Sequence, residues 1–231
     1  MQKRLVRKLD LEMLLSRVPP NPSPKPNLEQ YTIPANVAST MLYIAAYVNN
    51  DIVGKAVLDL GCGTGRLALG AAFLGAEWVV GVDLDRNAVS EAHRVSQEIN
   101  LGKKLQWVVA DIGIVHGRFD TVLQNPPYGV QKRGSDVAFL ERALKLGKTV
   151  YSLHKSPHSG KTRVKRLKAS SPSVMTTAPS PFLEEFIESN GGKIKAVYAM
   201  VMTVPHMFDF HNETKHEFVV DLYAIEGKRE T

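Results

Sequence analysis

The sequence predicts a doubly wound α/β fold, a mostly parallel seven-stranded sheet that ends in an antiparallel C-terminal hairpin. Three observations predict it. Short apolar runs of strand length alternate with helix-like segments through the centre of the chain. The first of these runs passes directly into a glycine-rich turn and then a helix. The last two runs are long and leave no room between them for a crossover helix, so they should pair antiparallel.

Residues 1–17 read as a short basic amphipathic helix with Leu5, Leu9, Met13 and Leu14 on one face. Pro19, Pro20, Pro22, Pro24 and Pro26 then make an extended, semi-rigid connector. The expected division is a helix and connector over residues 1–27 and the α/β domain over 28–231. A helix runs from about Pro34 to Val48. Strands are expected at Ala56–Leu60, Trp78–Val82, Leu105–Ala110, Phe119–Gln124 and Thr149–Leu153. Helices between them cover about Gly65–Gly75, Arg86–Ile99 and Ser135–Leu146. A helix at Pro181–Ser189 stops at Gly191-Gly192, and Lys193–Val204 with His216–Ile225 form the hairpin.

The totals narrow the function. No stretch approaches 18 continuous apolar residues, and the basic start is not followed by a signal-type apolar block. A cytoplasmic protein is therefore expected. The single cysteine, Cys62, excludes an internal disulfide and a cysteine-built zinc site within one chain, and no metal site is expected. A net charge of +6 and a pI near 9.3 suit a polyanionic partner such as RNA or DNA.

Four consecutive strand ends carry the chemistry. The first, Asp59-Leu60-Gly61-Cys62-Gly63-Thr64-Gly65, has glycines spaced G-x-G-x-G, and Arg66 stands where a dinucleotide fingerprint needs its third glycine. Asp59 before those glycines would repel a pyrophosphate but suits the ammonium of an amino acid. That favours S-adenosylmethionine over a nicotinamide dinucleotide. Asp83, followed by Leu84, lies 18 residues past Gly65, where a carboxylate meets ribose hydroxyls. Asp111 would accept from an adenine amino group while Ile112 lies against the ring. The fourth strand ends in Asn125-Pro126-Pro127-Tyr128. Two prolines make a stiff turn without two backbone donors. Its carbonyls and the Asn125 amide could accept from a planar –NH2 group while the Tyr128 ring stacks on the attached π system.

These motifs resemble the class I S-adenosylmethionine-dependent methyltransferases, and the Asn-Pro-Pro-Tyr turn narrows the resemblance to those acting on amino or amide nitrogens. Leu28-Glu29-Gln30-Tyr31, Met41-Leu42-Tyr43, Asp136-Val137-Ala138-Phe139-Leu140 and Val150-Tyr151-Ser152-Leu153-His154-Lys155-Ser156 are similar to the methyltransferase-like protein five family. That family makes N6-methyladenosine in small-subunit ribosomal RNA. The resemblance implies a Rossmann-like methyltransferase fold, S-adenosylmethionine as cofactor and RNA as substrate. It implies that Gln30 and Tyr31 fold over the cofactor and that a threonine hydroxyl, here Thr32, contacts it, although the family often has Pro-Thr where this chain has Thr32-Ile33. It also implies a small zinc-containing activator protein that adds a strand to the sheet edge.

Lys155 at a strand end and the basic cluster Lys161, Arg163, Lys165, Arg166 and Lys168 could hold RNA phosphates, or the cluster could be a mobile solvated loop. His206, Phe208, Phe210 and His211 lie between the hairpin strands, with no cluster to make His211 a metal ligand. Three alternatives stay open: a release-factor glutamine methyltransferase, a DNA adenine or rRNA guanine methyltransferase, and a non-catalytic RNA-binding module.

Overall fold

The computed structural model describes residues 5–25, 29–30, 32–129, 134–170, 173–205 and 215–228. Tyr31 and His206 to His211 lie outside the described residues. The strands are β1 (Ala56–Leu60), β2 (Trp78–Asp83), β3 (Leu105–Val109), β4 (Phe119–Gln124), β5 (Gly147–Lys155), β6 (Val174–Thr176), β7 (Lys193–Pro205) and β8 (Lys215–Glu226). The helices are α1 (Lys8–Ser16), α2 (Ala35–Tyr43), α3 (Arg66–Leu74), α4 (Arg86–Glu98), α5 (Ser135–Leu146), α6 (Lys161–Ala169) and α7 (Pro181–Ser189). The strands form one sheet in the order β3-β2-β1-β4-β5-β8-β7-β6. β1 to β5 are parallel, and β8, β7 and β6 are antiparallel to their neighbours.

The seven expected strands are present, and β6 is an eighth. Only three residues long, it pairs Val174–Thr176 with β7 and carries no run of apolar residues that would announce it. The basic cluster is likewise not a loop. It forms α6, which buries Val164 and Leu167 against Ala199 of β7 and Val219 of β8. Its apolar residues are few enough that charge hides the helical period in the sequence.

The N-terminal helix turns a different face inward from the one expected. Leu11 and Leu15 are fully buried, whereas Leu5, Leu9 and Met13 are more than half exposed. Leu11 and Leu15 meet Leu42 of α2 across Gly70 of α3, where a methyl group on the glycine would stand 2.3 Å from Leu42. Each such leucine contributes about 1.5–3 kcal/mol by leaving water. The helix from α2 continues through Ile44–Val48 in a wider π turn. One face of the sheet is thus covered by α1 to α4, and the other by α5, α6 and α7. No described helix is long and apolar enough to cross a membrane.

Candidate active site

The strand order reverses between β1 and β4, so the loops leaving these two strands part and open a crevice. The loop after β1 turns on Gly61, Gly63 and Gly65, with φ of 76°, 53° and 85°, a region L side chains rarely adopt. The Gly61 and Cys62 N–H groups donate to the Val82 carbonyl, and Gly63 N–H donates to Asp83 Oδ2 at 2.7 Å. Asp83 Oδ1 accepts from Asp85 N–H at 2.8 Å. This carboxylate therefore locks the glycine loop onto the end of β2.

Asp59 is 1% exposed, and its Oδ2 accepts from Ala68 N–H at 2.8 Å in the first turn of α3. Burial pushes its carboxyl up to about 7, with the nearby charge of Asp83 adding to the rise. Burial raises Asp83 also. The Cys62 thiol between them is driven well above its ordinary value by burial and by both carboxylates, so it stays protonated and inert. A buried and a half-buried carboxyl that accept from backbone N–H groups beside one crevice form a site that suits a cationic ligand.

On the other side of the crevice, Asn125, Pro126, Pro127 and Tyr128 leave β4. Pro126 is buried, while Asn125 and Pro127 reach the cavity wall. Tyr128 does not project freely. Its hydroxyl donates to Asn125 Oδ1 at 3.0 Å and lies 3.3 Å from Met202 Sδ, and its ring packs edge-to-face on Phe218. Behind the turn, Gln124 Nε2 donates to Ser152 Oγ at 2.8 Å, and Ser152 Oγ shares a 2.7 Å hydrogen bond with His154 Nε2. Burial lowers His154 to about 4, so it is a neutral anchor between strand ends.

The connector after α1 forms a wall of the same cavity. Asn21, Gln30, Thr32 and Ile33 line it, facing Thr64 and Arg66. Thr64 Oγ1 donates to the Pro19 carbonyl at 2.8 Å, and the Arg66 guanidinium donates to the carbonyls of Val18 and Ile33. The prolines are thus more than a spacer.

Residues 37–126 match the family described as ribosomal protein L11 methyltransferase (PrmA), a span that ends inside the Asn-Pro-Pro turn. The rRNA N(6)-adenosine-methyltransferase Mettl5 of Drosophila melanogaster is 39% identical over 223 residues, covering 94% of each chain. The chain belongs to the Mettl5 family of rRNA N6-adenosine methyltransferases. The Mettl5 relative of Danio rerio is 40% identical over 152 residues, which is 64% of this chain and 73% of that one. In the crystal structure of a Pyrococcus horikoshii protein assigned as an RNA methyltransferase, 98% of this chain aligns to all of that one, with a TM-score of 0.80 and 32% identity.

Of the residues expected to meet a cofactor in a Mettl5-family chain, Gln30, Thr32, Asp59, Gly61, Gly63, Thr64, Asp83, Leu84, Asp111, Ile112 and Asn125 are brought together on one cavity. Gly65 is not among the residues lining the cavity; a methyl group there would stand 2.4 Å from Trp107, so the position has room only for glycine. Asp111 caps its own turn by accepting from Gly113 N–H at 2.7 Å and keeps an exposed edge. Lys155 ends β5 with Nζ 5.7 Å from the Phe218 ring. On α6, Arg163 donates to Thr177 and Lys168 pairs with Glu217, which leaves Lys161, Lys165 and Arg166 exposed toward solvent. Sequence reasoning missed Asn21, Ile33, Arg66, Ser135 and Phe139 as wall residues. One signal was available: Arg66 is a lone charge opening an otherwise apolar helix, and such a residue needs a reason.

Proposed function

We propose that this chain transfers a methyl group from S-adenosylmethionine to N6 of adenine in RNA, with small-subunit ribosomal RNA as substrate. The observation that carries this reading is that Asn125 and Pro127, of the Asn125-Pro126-Pro127-Tyr128 turn, line the same cavity as Asp59, Asp83 and Asp111. The donor set fits the cofactor. Asp59 suits its ammonium, Asp83 its ribose hydroxyls and Asp111 its adenine amino group, with Leu84 and Ile112 as apolar neighbours. Both Asp83 oxygens already accept a backbone N–H, but each carboxylate oxygen has a second lone-pair direction. When bound, the cofactor supplies an electrophilic methyl on a sulfonium.

The chain's own task is positioning and electrostatics. Asn125 Oδ1 and the Pro126 carbonyl accept from the target amino group. They draw its lone pair out of the ring and stabilise the positive charge that develops on the nitrogen. The proline pair keeps that carbonyl in place, because its φ angles are fixed. No strong base is required before transfer, since the product ammonium is acidic. The Tyr128 ring stacks on a base swung out of its helix or loop.

Two surfaces serve the substrate and a partner. Lys155 with the α6 cations Lys161, Arg163, Lys165 and Arg166 supplies positive charge for RNA phosphates. The edge strand β3 leaves Val108 and Val109 about 40% exposed, with Ile114 exposed beyond them. An apolar sheet edge of this kind suits the strand of a small zinc-containing activator. The test is a labelled-methyl assay on ribosomal RNA, followed by mapping of N6-methyladenosine with and without the protein. Label appearing on protein, or an unchanged N6-methyladenosine map, would overturn the reading.

A further inference from the structure

A single buried carboxylate ties the connector to the end of β2. Asp85 is 1% exposed. Its Oδ2 accepts from Gln30 Nε2 at 2.9 Å and Asn21 Nδ2 at 3.2 Å, and its Oδ1 accepts from Lys25 Nζ and from Asn87 N–H, both at 3.2 Å. The connector is cross-bonded around the same point. Gln30 Oε1 accepts from Asn21 Nδ2 at 3.0 Å and from Lys25 N–H at 2.8 Å.

A helix cap needs only one of these bonds, the one from Asn87 to Asp85. The other three come from the connector, and two of their donors, Asn21 and Gln30, are walls of the cavity. Asp85 does not line that cavity, so whatever it does for a ligand passes through those two side chains. Burial alone would raise its carboxyl, yet the bonds from Gln30, Asn21 and Lys25 outweigh burial and hold it below the ordinary carboxylate value. The carboxylate is thus ionised, with three of its four hydrogen bonds coming from the connector. The prolines around Asn21 lower the conformational cost of keeping this wall in place.

We infer that Asp85 is a positioning residue for the cofactor, acting through Asn21 and Gln30 to fix one wall of the cavity. The inference rests on the reading of that cavity as the S-adenosylmethionine site. It assigns a function to the Pro-rich connector and to the second carboxylate of the Asp83-Leu84-Asp85 strand end. Losing a charge-assisted acceptor from such a wall weakens ligand binding while leaving the methyl-accepting turn untouched.

The experiment measures S-adenosylmethionine affinity by calorimetry, and kcat and KM by methyl transfer, on the full chain. Asp85→Asn keeps the cap on α4, because asparagine caps as well, but presents an amide to the connector donors. It should raise Kd and KM for S-adenosylmethionine by about tenfold or more, with kcat at saturating cofactor within about twofold of wild type. Asn21→Ala should give a smaller rise, and the double variant should be no worse than Asp85→Asn alone, because one network is lost once. Wild-type Kd and KM in Asp85→Asn, a fall in kcat with KM unchanged, or fully additive effects would overturn the inference. If Asp85→Asn does not fold, as judged by thermal denaturation, Asn21→Ala decides: unchanged KM overturns, raised KM with unchanged kcat supports. Wild-type protein that bound no S-adenosylmethionine would instead overturn the reading of the cavity.

Discussion

The Tyr128 hydroxyl donates a 3.0 Å hydrogen bond to Asn125 Oδ1, three residues back in the same turn. The oxygen proposed to accept from the target amino group is thus capped by the residue whose ring is proposed to stack on the target base. The ring in turn rests on Phe218. Asn125 Oδ1 keeps a second lone-pair direction, so in the proposed site it can accept from the target amino group beside the hydroxyl or in its place.

Tyr128→Phe keeps the ring and removes the cap. It should retain methyl transfer, with KM for RNA unchanged or lowered. Tyr128→Ala loses the stack, worth roughly 1–3 kcal/mol, and should lower kcat/KM by about 5- to 150-fold. Steady-state kinetics on an rRNA fragment separate the two variants. A phenylalanine variant as slow as the alanine variant would exclude stacking as the role of the ring.

Asn125→Ala should fold normally and bind S-adenosylmethionine within a few-fold of wild type. Its turnover should fall by about 10²–10³, the usual consequence of deleting one preorganised hydrogen-bonding group at a reacting centre. Single-turnover methyl transfer measures this, and near-normal turnover would sink the assigned role.

In the proposed site, Asp59 would link cofactor binding to pH. Its carboxyl titrates at about 7 in the folded chain, well above a free aspartate. An ammonium ligand requires the ionised form, so affinity for S-adenosylmethionine should rise as pH climbs towards 7 and then level off. The ligand's own α-amino group loses its proton near 8, so affinity should fall again above that. Calorimetry across pH 5.5 to 9 should find the peak (roughly between those two pKa values), and Asp59→Asn should flatten the acid side. The same shift acts on the fold without ligand. A raised carboxylate stabilises the folded state while protonated, so its contribution is whole below about pH 4 and is lost as pH rises through about 7.

Lys161, Lys165 and Arg166 are exposed on α6, whereas Lys168 is paired with Glu217. Changing the three exposed cations to alanine should weaken RNA binding and reduce the slope of log K against log salt by about 2–3, near 0.7–0.9 for each phosphate that is no longer neutralised. Lys168→Ala should change the slope least. A salt titration by fluorescence anisotropy checks both, and an unchanged slope in the triple variant would place the RNA elsewhere.

At the opposite edge, Val108→Lys and Val109→Lys put charge on β3. They should weaken binding of a strand-adding activator by about tenfold or more without altering S-adenosylmethionine affinity, since charge on an edge strand opposes pairing. Co-purification and calorimetry on the same variants read the two effects separately. Activator binding at wild-type strength would exclude this edge.

What the sequence determined by itself was local. Strand runs with their ends at Asp59, Asp83, Asp111 and Asn125, and the glycines between Leu60 and Arg66, follow from side-chain period and from the dihedral limits of glycine and proline, which depend on near neighbours alone. Tertiary structure decided what no window of sequence holds. Leu11 and Leu15, not Leu5, Leu9 and Met13, face inward, because α2 and α3 offer a surface at Leu42 and Gly70. A charge-rich segment is a helix because Val164 and Leu167 find Ala199 and Val219. The connector became a cavity wall because Asp85, 64 residues from Asn21 in the chain, buries its carboxylate and must have donors brought to it. Burial and long-range pairing carry the free energy of these choices, and they exist only once the chain has closed on itself.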